Sequence, residues 1–218
     1  MPVLLLILFV WKKMYQTPIV GTVFIILIFL CNLAYAFLAR WYAVLHSGVK
    51  GERRLFRTVK KLHGTNIVFH NLPVRYKRGR SELDMLIVCH SGVLIIEVKN
   101  HSGTISGSWR DDKWTQRKHY RDGKVTETMM DNPIKQMRRQ RDIVKSILTA
   151  AGENVWIDSV LYFSSPNAKL KISLRESDYV CCESAELLEF LKSYDSGETL
   201  SKSRMEHIAQ ILRESSGV

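Results

Sequence analysis

Residues 18–39, PIVGTVFIILIFLCNLAYAFLA, run 22 residues without a charge. As a helix rising about 1.5 Å per residue they span about 33 Å, enough to cross the hydrocarbon core of a bilayer once. The run exceeds the h-region of a secretory signal, about 7 to 15 residues, so an anchor is favoured over a cleaved leader. The apolar stretch at 3–11 is too short to span and reads as an interfacial lead-in within a short N-terminal segment, 1–17. Lys12 and Lys13 precede the span, and Arg40, Lys50, Arg53 and Arg54 follow it closely. That asymmetry predicts a single-pass membrane protein with its soluble part in the cytoplasm.

Of the 32 Lys and Arg in the 218 residues, only Lys12 and Lys13 lie before residue 40, where there is no Asp or Glu. The remainder therefore holds 30 basic and 21 acidic residues, a balance that favours anionic partners and disfavours acidic substrates. The cysteines, Cys31, Cys89, Cys181 and Cys182, form neither a disulfide framework nor a CxxC zinc pattern.

The soluble part reads as α/β. Val49, Leu55, Phe56, Val59 and Leu62 recur at helical spacing over 47–63, with Gly64 as a stop. Strand-like runs follow at 67–70, 83–89 and 93–99 as a meander, with shorter ones at 105–109 and 114–117. Asn132-Pro133 predicts the start of a helix with Ile134, Met137, Ile143, Val144, Ile147 and Leu148 inward until Gly152. A buried strand at 155–163 and helices at 184–194 and 201–214 complete the order.

Three carboxylates stand where apolar residues are expected. Glu52 is the one acid in a helix carrying six bases, and it lies on the apolar stripe. A first-turn acid paired with a neighbouring Arg is its bland explanation. Asp84 in LDMLIVC and Glu97 in GVLIIEVK interrupt strands that are apolar on both faces, where a carboxylate is costly unless paired or bound to a cation. A hairpin turn at His90-Ser91 sets Asp84 opposite Glu97, and one at Ser91-Gly92 sets it opposite Lys99. Glu97 and Lys99 share a face in either case. A buried structural Asp84–Lys99 pair, with Glu97 at the exposed end of its strand, is the bland explanation. Together, clustered carboxylates repel unless a proton or metal joins them, and hard oxygen ligands select Mg²⁺ or Mn²⁺. A lysine beside such a cation suits phosphodiester hydrolysis. No GxSxG, P-loop or HExxH pattern competes.

Gly51-Glu52, Leu83-Asp84, Ile96-Glu97-Val98-Lys99, the stretch from Gly103 to Gly107, and Asn132-Pro133-Ile134-Lys135-Gln136 occur in an order and spacing that resemble the nuclease-related domain (NERD) family of the PD-(D/E)xK nuclease superfamily. The resemblance implies a restriction-endonuclease-like αβββαβ core over about 47–165, a mixed sheet flanked by helices; beyond it, 166–218 reads as a C-terminal strand and helical extension packing on the core. The resemblance further implies that Asp84 and Glu97 ligate Mg²⁺ (or Mn²⁺), that Glu52 adds a ligand, that Lys99 activates water or stabilises charge, and that Gln136 reaches the same site.

Arg75, Lys77, Arg78 and Arg80 before Asp84, and Lys135, Arg138, Arg139 and Arg141 on the later helix, suit a phosphate-binding surface, with Trp109 and Trp114 open either to base stacking or to packing over the sheet. The sequence thus points to a membrane-anchored metal-dependent nuclease whose partner is nucleic acid, with DNA favoured over RNA. The alternative is a non-catalytic nucleic-acid-binding or membrane-surface module on the same fold, since basic surfaces also bind anionic lipid.

Overall fold

The computed structural model describes Phe9, Lys12 and residues 18–62 and 64–216. The lead-in read at 3–11 lies outside them except for Phe9. The chain divides into two compact units, Met1–Ser47 and Gly48–Val218. Helix α1, Pro18–Val59, is continuous across that boundary, where the sequence reading expected one helix at 18–39 and another at 47–63. Nothing between them breaks a helix: residues 40–46 contain neither Gly nor Pro. In the first unit Gly21–Tyr42, of mean hydropathy 2.4 and exposed along all its length but Gly21, is long and apolar enough to cross a membrane, as a signal sequence can also be. α1 ends at Val59 rather than at Gly64, because the bonds Lys61 N to Thr58 O and Leu62 N to Val59 O tighten its last turn.

The second unit contains two mixed sheets. The first has the order β1 (Ile67–Tyr76), β2 (Gly79–Cys89), β3 (Gly92–Lys99), β7 (Ile157–Phe163), β9 (Tyr179–Cys181). β1 to β3 form the expected antiparallel meander, and β7 and β9 add in parallel. The second sheet, in the order β6 (Val125–Asp131), β5 (Lys113–His119), β4 (Gly103–Ser108), β8 (Ala168–Ser173), is inserted after β3, with β8 supplied later by the chain. Helix α2, Pro133–Ala150, crosses back from this insertion to β7, completing αβββαβ. Helices α3 (Ser184–Ser193) and α4 (Lys202–Ser216) follow.

Alternation along β2 and β3 explains their all-apolar sequences. Leu86, Val88, Val93 and Ile95 pack with Val144, Leu148, Ile208 and Leu212 of α2 and α4. Met85, Ile87, Leu94 and Ile96 pack on the other face with Leu55, Val59 and Leu187 of α1 and α3. The β2–β3 ladder pairs Cys89 with Gly92 and Met85 with Ile96, so the turn is His90-Ser91 and the register is the one that sets Asp84 across from Glu97. Gly92 takes φ +126°, and a Cβ there would lie 2.8 Å from the Trp156 carbonyl oxygen.

β1 and β2 are longer than read from sequence. The basic stretch after Tyr76 is a tight hairpin in which Arg75 pairs with Arg80 and Tyr76 with Gly79, leaving Lys77-Arg78 as the turn rather than an open loop. β6 has no counterpart in the sequence reading. Its exposed, mixed pattern VTETMMD lacks the clean alternation that marks a half-buried strand. Trp114 anchors the second sheet: it is fully buried, its Nε1 donates to Ser108 O at 2.9 Å, and Gly107 beneath it leaves room that a Cβ would occupy at 2.3 Å.

Candidate active site

Asp84 sits where two ladders open. The β1–β2 register passes from His70↔Met85 to Leu72↔Leu83, and Asn71, the residue between, has φ +48°, outside the β region. On the other side the β2–β3 ladder stops at Met85↔Ile96, and the Val98 amide donates to Asp84 Oδ2 at 2.7 Å. A side chain thus takes up a strand amide at the point where regular pairing ends.

Glu97 is 1% exposed, and both its oxygens are engaged. Lys99 Nζ donates to Oε1 at 2.6 Å and to Gln136 Oε1 at 3.0 Å. Gln140 Nε2 donates to Glu97 Oε2 at 2.7 Å and to the Glu82 carbonyl at 3.1 Å. Since both partners of that nitrogen are acceptors, the Gln140 amide can face only one way, and its Oε1 is left buried without a partner. Asn132 caps α2 by accepting from Ile134 N at 2.9 Å, which places Gln136 and Gln140, one turn apart, over the end of β3.

The electrostatics follow from this crowding. Burial, and next the Glu97 carboxylate, push the Asp84 carboxyl up to about 7; the Val98 amide and the Lys99 ammonium pull against that shift, and Glu52 adds to it. Glu52 lines, with Asp84, His70, Asn71 and Phe56, a cavity of about 300 Å³. Its Oε2 is 3.4 Å from Asn71 Nδ2, and His70 is held below the ordinary histidine range by burial, against the pull of Glu52. The structure therefore brings Asp84, Glu97, Lys99 and Gln136 into one cluster, with Glu52 beside Asp84 at the cavity wall.

Among the described residues no three His, Cys, Asp or Glu side chains form a ready metal-binding group. Lys99 and Gln140 hold the Glu97 oxygens, and Glu52 faces Asn71. The donors nevertheless suit a hard cation: they are carboxylate oxygens, Asp84 Oδ1 receives no hydrogen bond from a described residue, and burial, with the neighbouring Glu97 carboxylate, raises the Asp84 pKa.

The family model for the nuclease-related domain matches residues 47–164, more than half of the chain. The chain belongs to the nuclease-related domain family. An uncharacterised protein of Bacillus anthracis is 34% identical to it over 71 residues, 32% of this chain and 34% of that one; the chain thus spans about a third of that relative. No solved structure matches.

Within the nuclease-related domain the two basic groups meet. Arg139 Nη2 donates to the Arg80 carbonyl at 3.1 Å, and Lys135, Arg138 and Arg139 line with Tyr76 and Gly79 a cavity of about 430 Å³ between the hairpin and α2. Their availability differs. Arg139 is exposed, Lys135 is bonded to Asp112 at 2.6 Å, and Arg138 is held by both oxygens of Asp178 at 2.8 and 2.6 Å. Neither tryptophan is open for base stacking: Trp114 is core, and the ring of Trp109 is covered by guanidinium groups. His70, Asn71 and Gln140 escaped the sequence reading. A glutamine on the apolar stripe of a helix, at i+4 from a site residue, was the available signal for the last.

Proposed function

We propose that this domain is a metal-dependent nuclease that hydrolyses phosphodiester bonds of DNA or RNA. The observation that carries the reading is the Lys99 ammonium held between Glu97 and Gln136 beside a desolvated Asp84. Asp84 and Glu97, with Glu52 as an added ligand, would hold Mg²⁺ or Mn²⁺, which supplies Lewis acidity and charge neutralisation at a phosphate. Lys99 would orient water or stabilise developing charge, and Gln136 would hold Lys99 in place. Residues 18–39 would anchor the chain, with the basic flanks keeping the domain cytoplasmic. Arg75, Lys77, Arg78, Arg80 and Arg139 would take phosphates along the hairpin and α2.

One observation favours a second reading, a module that holds nucleic acid without cutting it: both Glu97 oxygens already have protein partners. The full chain in neutral detergent, assayed on labelled single- and double-stranded DNA and RNA with Mg²⁺, Mn²⁺ or EDTA, separates the two. Metal-dependent cleavage lost in Asp84→Ala and in Lys99→Ala is the expected result. Binding without cleavage of any substrate, unchanged by either substitution, supports the second reading.

A further inference from the structure

Three guanidinium groups converge on one indole at the far side of the α2 N-terminus. Arg175 lies 3.8 Å from the centroid of the Trp109 ring, Arg110 at 4.9 Å and Arg138 at 5.5 Å. They come from the β8–β9 connection, the β4–β5 connection and α2. The scaffold beneath is fixed: Trp109 N donates to Ser173 O at 2.9 Å, and Arg175 N to Asp178 Oδ2 at 3.0 Å.

The charges do not balance. Asp178, its side chain 4% exposed, is engaged by Arg138 through both oxygens. Arg110 and Arg175 are exposed, and among the described residues neither guanidinium has a carboxylate within ion-pair distance. The face of an indole attracts each cation singly but does not cancel the repulsion among several. An anion between Arg110 and Arg175 would cancel it, and the planar guanidinium fork matches the oxygens of a phosphate.

We propose that Arg110 and Arg175, stacked on Trp109, form a second phosphate-binding site that takes the backbone of a nucleic acid strand leaving the active site. Continuity argues for nucleic acid: Arg138, which lies over Trp109, also lines the cavity between the basic hairpin and α2, so one polyanion laid along that cavity reaches the Trp109 cluster. The inference rests on the nuclease function proposed for this domain and names where its substrate is held.

The test measures affinity of the full chain in neutral detergent for a fluorescent oligodeoxynucleotide, single-stranded and duplex, in EDTA, between about 50 and 200 mM salt. Removing one phosphate-neutralising side chain lowers the slope of log affinity against log salt by about 0.9 for duplex and about 0.7 for a single strand. Arg110→Gln/Arg175→Gln is therefore expected to lower the slope by about 1.8 or 1.4, whereas Lys192→Gln/Lys202→Gln, an equal change of net charge at exposed positions of α3 and α4, leaves it unchanged. Should the double variant not fold, exposed Arg110→Gln alone is expected to lower it by half as much. Arg110→Lys/Arg175→Lys, which keeps the charge and alters the stacking, is expected to retain most of the slope. A slope in the Gln variants equal to that of the wild type overturns the proposal, as does wild-type binding to phosphatidylserine vesicles but not to either oligonucleotide. Wild type that binds with the predicted slopes but never cuts defeats the nuclease reading alone.

Discussion

Asp84 and Gln140 show how much a single side chain decides here. Asp84 has its proton affinity raised in the folded state, from 3.8 to about 7, so the folded chain binds that proton more tightly than the unfolded one. The associated stability is complete below pH 4 and is lost as pH rises towards 7, and the gap corresponds to at most about 4 kcal/mol. Asp84→Asn, which cannot ionise and can still accept from Val98 N, should in EDTA unfold at a temperature increasingly above that of the wild type from pH 4 to pH 7, with no further gain above about pH 8. Thermal unfolding across that range checks the sign; a variant advantage that is largest at pH 4 would contradict it. Gln140 acts through Glu97. Gln140→Leu removes the donor to Oε2 along with the orphaned Oε1, and should lower stability by about 1–2 kcal/mol in urea while weakening Mn²⁺ binding by about 10- to 100-fold, the usual cost of losing a group that orients a ligand. Titration calorimetry with Mn²⁺ distinguishes that role from simple packing, which would leave the affinity unchanged.

At the scale of elements, α2 organises the site, and Asn132 sets its start. Its side chain accepts from Ile134 N and donates to the carbonyls of Ser108 at 3.1 Å and Asp111 at 2.7 Å, so one buried amide fixes both the helix and the β4–β5 turn. Asn132→Ala should destabilise the domain by about 2–3 kcal/mol, a cap plus stranded carbonyls, as read by chemical denaturation. This element was legible because Asn-Pro with apolar residues at helical spacing is a local signal. The register of β2 and β3 was narrowed to two choices by the same kind of argument, and the observed turn is one of them. β6 and the first residues of β2 were not legible, because they are exposed or half-buried and their pairing is set by a neighbouring strand; the far half of β1 alternates, with Leu72 and Val74 buried, but Pro73 interrupts it as a strand pattern.

For the whole molecule, the uncharged run predicts that the full chain sediments with membranes and resists an alkaline wash. A cleaved signal would instead leave a chain shortened by the run in the soluble fraction, and a gel of the two fractions distinguishes them. Charge at this scale was readable as a net excess but not as a surface. Hairpin residues 75–80 and helix residues 135–139 lie far apart in sequence and meet where Gly79 lies close against Ile143 and Arg139 bonds the Arg80 carbonyl. The guanidinium cluster on Trp109 likewise draws on three separate segments. By itself the sequence determined the apolar run, the central strands, the capped helix and the shared face of Glu97 and Lys99, since each depends on period, spacing or a local hydrogen bond. Only the tertiary structure decided that Gln140 grips Glu97, that Asn71 parts the ladder opposite Asp84, that Arg138 is claimed by Asp178, and that Arg110 and Arg175 lack a counter-charge among the described residues. These depend on contacts between residues distant in sequence, which no local pattern encodes.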